Sequence, residues 1–270
     1  MLEVIKATAK FLKEKISAQP SIGIILGTGL GGLAKEIEVQ NEFPYSSIPD
    51  FPVSTVKGHS GKLLFGKLGG KNVVAMQGRF HFYEGYTMQQ VAFPVRVMKF
   101  LGIKDLFISN ASGGVNPSFK VGDLMIIRDH INLFPGNPLI GKNLDELGPR
   151  FPDMSEPYDL KLIDTAKKIA GQLSIPVQTG VYCGLSGPTF ETPAEYKYVR
   201  IIGGDAVGMS TVPEVIAARH MSIPCFGISV ITDMGVEGQI VKVTHEEVQE
   251  VAEVAEKKMT KLMMELIRNI

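Results

Sequence analysis

The chain has 270 residues, with 28 basic and 28 acidic side chains, and 44% of it is hydrophobic. That length buries a substantial core, and the even charge balance excludes a general nucleic-acid binder, which would carry a basic excess. No apolar run reaches the ~20 residues of a membrane span, so neither nucleic acid nor membrane is an expected partner. Zero net charge favours a defined oligomer.

The elements follow in chain order. Within residues 1–18, lysines at 6, 10, 13 and 15 alternate with Val4, Ile5, Phe11, Leu12 and Ile16, which predicts an amphipathic surface helix rather than a signal peptide. Residues 22–26 read as a strand. Residues 41–52 hold three prolines, at 44, 49 and 52, and read as loop. Residues 62–67 and 72–77 flank a Gly-Gly turn and predict a hairpin. Residues 87–101 carry the period of a helix, ending at Gly102. Strands are expected at 105–109, 124–127, 206–209 and 224–231, and a helix at 159–173. Thr192, Thr211 and Thr244 each precede a Glu by three residues, so three capping boxes should open the helices at 192–202, 211–220 and 244–269. Strands alternating with helices predict an α/β fold with a largely buried central sheet. Nothing in composition divides the chain, so residues 1–270 are expected to form one domain. Residues 133–158 form a long irregular stretch with five prolines, a length that is usually functional or interfacial.

The two cysteines, Cys183 and Cys225, form no framework or metal pattern and fit a reducing compartment, the cytoplasm. The five histidines show no ligand spacing, so no metal is expected.

Several segments carry chemistry. Gly27, Gly29 and Gly32 follow the first strand as G-x-G-x-x-G. A dinucleotide-binding oxidoreductase would need a second strand ending in an acid about 20 residues on, and the proline-rich 41–52 segment reads instead as loop. The glycines remain suited to close approach of an anion, with Thr28 as a hydroxyl donor, or to a tight turn. Residues 109–114 form a second loop of this kind after a strand. In GRFHFYEGY at 78–86, an extended backbone puts Arg79, His81 and Tyr83 on one face and Phe80, Phe82 and Glu84 on the other. The first face suits phosphate and a sugar hydroxyl; a solvated edge over an aromatic core is the alternative. Phe190 and Glu191, just before a helix, combine an aromatic face with a carboxylate, either for base recognition or as ordinary packing.

Six motifs then stand in order: GTGLGG at 27–32, GHSG at 58–61, QGRFHFYEGY at 77–86, NASGG at 110–114, GPTFETPAEY at 187–196 and DAVGMSTVPE at 205–214. Together they resemble the trimeric purine nucleoside phosphorylases. The resemblance implies an α/β phosphorylase-type fold, a mixed sheet with a barrel-like part surrounded by helices, and a homotrimer without metal or cofactor. Inorganic phosphate would be the co-substrate. The reaction implied is reversible phosphorolysis of purine (deoxy)ribonucleosides, inosine and guanosine foremost, in purine salvage.

It places phosphate on Thr28, His59, Arg79, His81, the backbone of Ala111, and Ser210. The sugar falls on Tyr83, Met209 and His245. The purine falls on Ala111, Ser112, Phe190, Glu191, Val207, Thr232 and Asp233. His81, Glu191 and Asp233 would be catalytic, and Phe151 would reach a neighbouring subunit's site. Methylthioadenosine phosphorylase shares this fold but would want an apolar 5′ pocket where this chain has His245. A catalytically silent nucleoside-binding protein would not need the full set of polar groups.

One departure stands out. The 6-oxopurine-specific members have Asn where this chain has Asp233. An ionised Asp only accepts hydrogen bonds, so Asp233 must be protonated to donate to N7. Burial and the nearby Glu191 charge are expected to raise its pKa. Glu191 favours a base with N1–H and Asp233 an exocyclic amine, so the expectation is a 6-oxopurine enzyme that also cleaves adenosine.

Overall fold

A computed structural model of the chain describes residues 1–27, 31–53 and 61–270. Nine strands are described: β1 (Ile22–Leu26), β2 (Glu38–Pro44), β3 (Lys62–Leu68), β4 (Lys71–Gln77), β5 (Asp105–Gly114), β6 (Leu124–Asn132), β7 (Val177–Gly184), β8 (Ala206–Gly208) and β9 (Cys225–Met234). The helices are α1 (Leu2–Lys13), α2 (Gly32–Lys35), α3 (Met88–Leu101), α4 (Leu160–Gln172), α5 (Pro193–Ile201), α6 (Val212–His220) and α7 (His245–Arg268). The strands form one mixed sheet in the order β2-β3-β4-β1-β5-β8-β7-β6-β9, and β9 pairs back onto β5. The five strands from β5 to β9 therefore close a barrel, while β1 to β4 extend as an open wing. β5 belongs to both parts, pairing in parallel with β1 on one side and β9 on the other.

The burial pattern explains this arrangement. All five residues of β1 and all ten of β9 are buried, as expected for strands covered on both faces. Helices supply the cover: α1 packs on α3, α3 on α6, and α7 on α4 and β9. α1 buries Ile5, Thr8, Ala9 and Leu12 and turns its lysines outward, which is the amphipathic pattern read from the sequence.

Several expectations change. Residues 41–44, the start of the expected 41–52 loop, are instead part of the exposed edge strand β2, antiparallel to β3; Pro44 is tolerated at the end of an edge strand. The dinucleotide reading still fails, because this strand lies at the far edge rather than parallel beside β1. The capping boxes at Thr192 and Thr244 are present, with the Thr side chain accepting from the Glu195 and Glu247 backbone N–H. The box at Thr211 is absent: the residue sits at φ +71° and caps nothing. Its Oγ1 instead accepts from Asn110 Nδ2 at 2.8 Å, and its intended partner Glu214 is engaged elsewhere. The 78–86 segment is not extended throughout, since a 3₁₀ turn (Phe82–Glu84) bends it. Glu84 is thereby brought to His81 instead of the opposite face, with Oε1 at 3.0 Å from Nδ1.

Candidate active site

Strand ends and helix starts meet at one cavity that is partly open to solvent. Arg79, His81, Tyr83, Ala111, Ser112, Phe190, Glu191, Val207, Met209, Ser210, Thr232, Asp233 and His245 all line it. Thr28 and His59 lie outside the described residues. Phe151 does not line the cavity; it is 86% exposed, with the Arg150 guanidinium 5.5 Å from its ring centre.

One end of the cavity is cationic. Arg79 is 1% exposed. Its Nε donates to Glu214 Oε1 at 3.1 Å, and its Nη1 donates to the Ser109 carbonyl at 2.9 Å and to Ser210 Oγ at 3.0 Å. A buried guanidinium needs such a set of acceptors, and they orient its plane. Glu214 reaches it because α6 starts directly after Ser210 and Thr211. Behind this group, Asn110 donates to Thr211 and accepts from Ser229 Oγ at 2.7 Å. Gly27 closes the same end: a Cβ there would lie 2.8 Å from the Ser109 carbonyl oxygen. Gly27 thus meets Ser109 by the close approach that only glycine permits; residues 109–114, expected as a loop, are instead the paired end of β5, held by its ladder with β9.

His81 follows in the same segment, stacked on Tyr83 with ring centres 4.7 Å apart. Burial, helped by the Arg79 charge, lowers its pKa against the pull of Glu84, so the imidazole is neutral at pH 7. Glu84 accepts from Nδ1–H, which fixes the tautomer with Nε2 as the acceptor. Burial pushes the Tyr83 phenol up to about 12, so it remains a donor.

The other end is acidic and aromatic. Phe190 is 44% exposed at the mouth, beside Glu191. Burial raises the pKa of both Glu191 and Asp233. The expected repulsion between them adds to the shift of Glu191. The shift of Asp233 comes from burial, against hydrogen bonds from Thr232 and Tyr196. Thr232 Oγ1 donates to Asp233 Oδ1 at 2.9 Å, and Tyr196 to Oδ2 at 3.4 Å. His245, the first residue of α7, completes the wall.

Sequence reasoning missed Asn110, Glu84, Glu214 and Tyr196 as parts of this constellation. Asn110 stood inside a motif already singled out, and a buried Arg79 demands a carboxylate, which was the available signal for Glu214. Among the described residues, no three His, Cys, Asp or Glu side chains cluster as a metal site would require, and no helix is long and apolar enough to cross a membrane.

Comparison with known proteins agrees with this geometry. The model of the phosphorylase superfamily matches residues 21–268. Purine nucleoside phosphorylase 1 of Geobacillus stearothermophilus is 54% identical over 266 residues, covering 98% of this chain and 97% of that protein. The crystal structure of Schistosoma mansoni purine nucleoside phosphorylase in complex with adenosine superposes with a TM-score of 0.94 at 43% identity, covering 99% of this chain and 97% of that one. The inosine complex of the Schistosoma mansoni enzyme matches with the same TM-score at 42% identity, covering 99% and 96%. With the family model matched over residues 21–268 and relatives 42–54% identical over nearly the full length, the chain belongs to the phosphorylase superfamily and, within it, to the purine nucleoside phosphorylases.

Proposed function

We propose that the chain catalyses phosphate-dependent cleavage of purine (deoxy)ribonucleosides to free base and pentose 1-phosphate, with inosine and guanosine as its main substrates. The observation that carries this reading is the polarity of one cavity, with a buried, oriented guanidinium at one end and two carboxyls of raised pKa at the other. Phosphate would sit on Arg79, Ser210, His81 and the Ala111 backbone, with Thr28 and His59 as further ligands. Tyr83, Met209 and His245 would hold the sugar. Phe190, Val207, Ala111, Ser112 and Thr232 would surround the purine.

The chemistry follows from this placement. The phosphate oxygen attacks the anomeric carbon as the purine leaves, through a cation-like sugar. Holding both reactants in one site contributes about 7–11 kcal/mol to the rate. A neutral His81 accepts a hydrogen bond from a protonated phosphate oxygen without adding charge. At the base, ionised Glu191 accepts from N1–H. Protonated Asp233 donates to N7, where negative charge collects on the leaving purine. Burial raises the Asp233 pKa in the direction of that form.

The proposed assembly is a homotrimer in which Phe151 closes a neighbour's site; an exposed aromatic outside its own cavity supports this. The buried free thiols of Cys183 and Cys225 are compatible with the cytoplasm and a role in purine salvage. The test is incubation with inosine, adenosine and methylthioadenosine, with and without phosphate. Base release from inosine only when phosphate is present is expected. Release without phosphate indicates a hydrolase, and release from methylthioadenosine alone indicates the sister enzyme.

A further inference from the structure

The hydroxyl of Tyr196 serves the two carboxyls that face the base. It donates to Asp233 Oδ2 at 3.4 Å, and it is close enough to Glu191 for the two groups to shift each other's pKa. The remaining Asp233 oxygen is held by Thr232. The ring cannot withdraw. It is 5% exposed, packs with Cys183, Val199 and Val207, and covers Gly235, where a Cβ would lie 2.3 Å from a ring carbon. Rotation about its C–O bond is therefore the freedom left to the hydroxyl. Burial and the two acids keep the proton on the phenol. A phenol has one proton to donate, so it serves Glu191 or Asp233, not both at once.

Building on the phosphorolysis reading, we infer that Tyr196 is a positioning residue that makes Glu191 and Asp233 act as a pair sharing one proton, its O–H turning to whichever is ionised. A base with N1–H takes Glu191 as the anion and Asp233 as the acid. A base with a bare N1 and a 6-amino group takes the reverse: Glu191 donates to N1 and Asp233 accepts from the amine. The proton count of the pair is the same in both states, which lets one cavity hold both classes of purine.

Other charged groups face this trio. Glu195 lies on the same helix, His245 heads α7, and Arg79, His81 and Tyr83 line the far side of the cavity. Lys197, Arg200 and Glu237 surround the outer side of Tyr196. All of them remain in Tyr196→Phe, which also keeps the ring.

The test is the pH dependence of kcat/KM for inosine and adenosine in the wild type and in Tyr196→Phe. A phenol donor stabilises a carboxylate anion, and its single proton serves one anion whether the pair holds one proton or none, so its loss raises only the first ionisation of the pair. The acid limb, where the pair must lose its first proton, moves up by about one pH unit, while the alkaline limb, where it loses the last, stays in place. On the acid limb this is a loss of about tenfold; on the alkaline limb activity is kept. An acid limb that stays in place, an alkaline limb that moves with it, or an equal loss at every pH overturns the inference. Asp233→Asn supplies a second reading, because Asn has no acidic proton to lose. Adding Tyr196→Phe to it should shift the acid limb alone, and an alkaline shift in that background also overturns the inference. A wild-type protein that releases no base from either nucleoside in the presence of phosphate overturns the phosphorolysis reading instead, which is a separate result.

Discussion

Glu214→Ala tests how the cationic end of the cavity is held. Arg79 and Glu214 have side chains 2% and 3% exposed and meet at 3.1 Å. Removing the acid leaves a buried guanidinium without its counter-charge, which costs about 3–5 kcal/mol. The Ser109 carbonyl and Ser210 hydroxyl still accept from Nη1, which favours the lower part of that range. In a chain of this size each kcal/mol lowers Tm by roughly 2–4 °C, so a drop on the order of 10 °C is expected by calorimetry. Arg79 also loses the bond that fixes its plane, so KM for phosphate should rise at least about tenfold, the equivalent of one ordinary charge-assisted hydrogen bond. Glu214→Gln keeps an acceptor of the same shape and should fall between the two. A Tm within ~2 °C of the wild type, together with an unchanged KM for phosphate, would refute the argument that Glu214 supports the anion site through Arg79.

Asp233→Asn should keep inosine cleavage while suppressing adenosine cleavage, because an amide donates to N7 at any pH but cannot become the anion an amine prefers; equal losses on both substrates would rule out this role. Phe151→Ala should change stability by less than about 0.5 kcal/mol, since the ring is exposed in its own subunit. It should nonetheless lower kcat/KM in the assembled protein, and an unchanged kcat/KM would remove Phe151 from the site. Acid stability provides a check away from the cavity. Burial lowers the His130 pKa to about 4, while the unfolded chain takes up that proton near 6.5. The unfolded state therefore binds more protons between these values, and stability should fall as pH drops from about 6.5 towards 4. In His130→Gln this part of the decline, read from urea unfolding, should disappear.

Much of the fold was legible because local signals and tertiary packing agreed. The apolar run of β1 and the run at 224–231, broken only by Ser229, read as covered strands, and Thr192 and Thr244 opened the helices their boxes specify. The Thr211 box has the same spelling and fails. Asn110 takes its hydroxyl and Arg79 takes its Glu, so buried polar partners distant in sequence outweigh a local cap worth about 1 kcal/mol. Residues 41–44 were misread because an edge strand carries no apolar alternation when its exposed side chains face solvent. The cavity lining was legible through motif resemblance. The carboxylates that orient it were not: Glu84 depended on a turn within an apparently extended segment, and Glu214 on a contact across 135 positions. Tyr196 was hidden within a cap signature, and only the closed barrel brings its helix against Asp233.

The shared membership of β5 in wing and barrel has a consequence for how specificity can change. Its residues supply the Ser109 carbonyl to Arg79 at one end and Gly113, beside Asp233, at the other. At about 3.3 Å per residue these points are roughly 13 Å apart along the strand. The β9 ladder follows the strand along this span, with one register shift between Ser112 and Gly113, and β8 pairs with Gly113 at its far end, so the strand acts as a ruler of constant length between anion and base. An inserted residue would displace its pairing with β9 and with β8. Relatives on this scaffold are therefore free to exchange the side chains at either mark, as Asp233 illustrates, but not the distance between them.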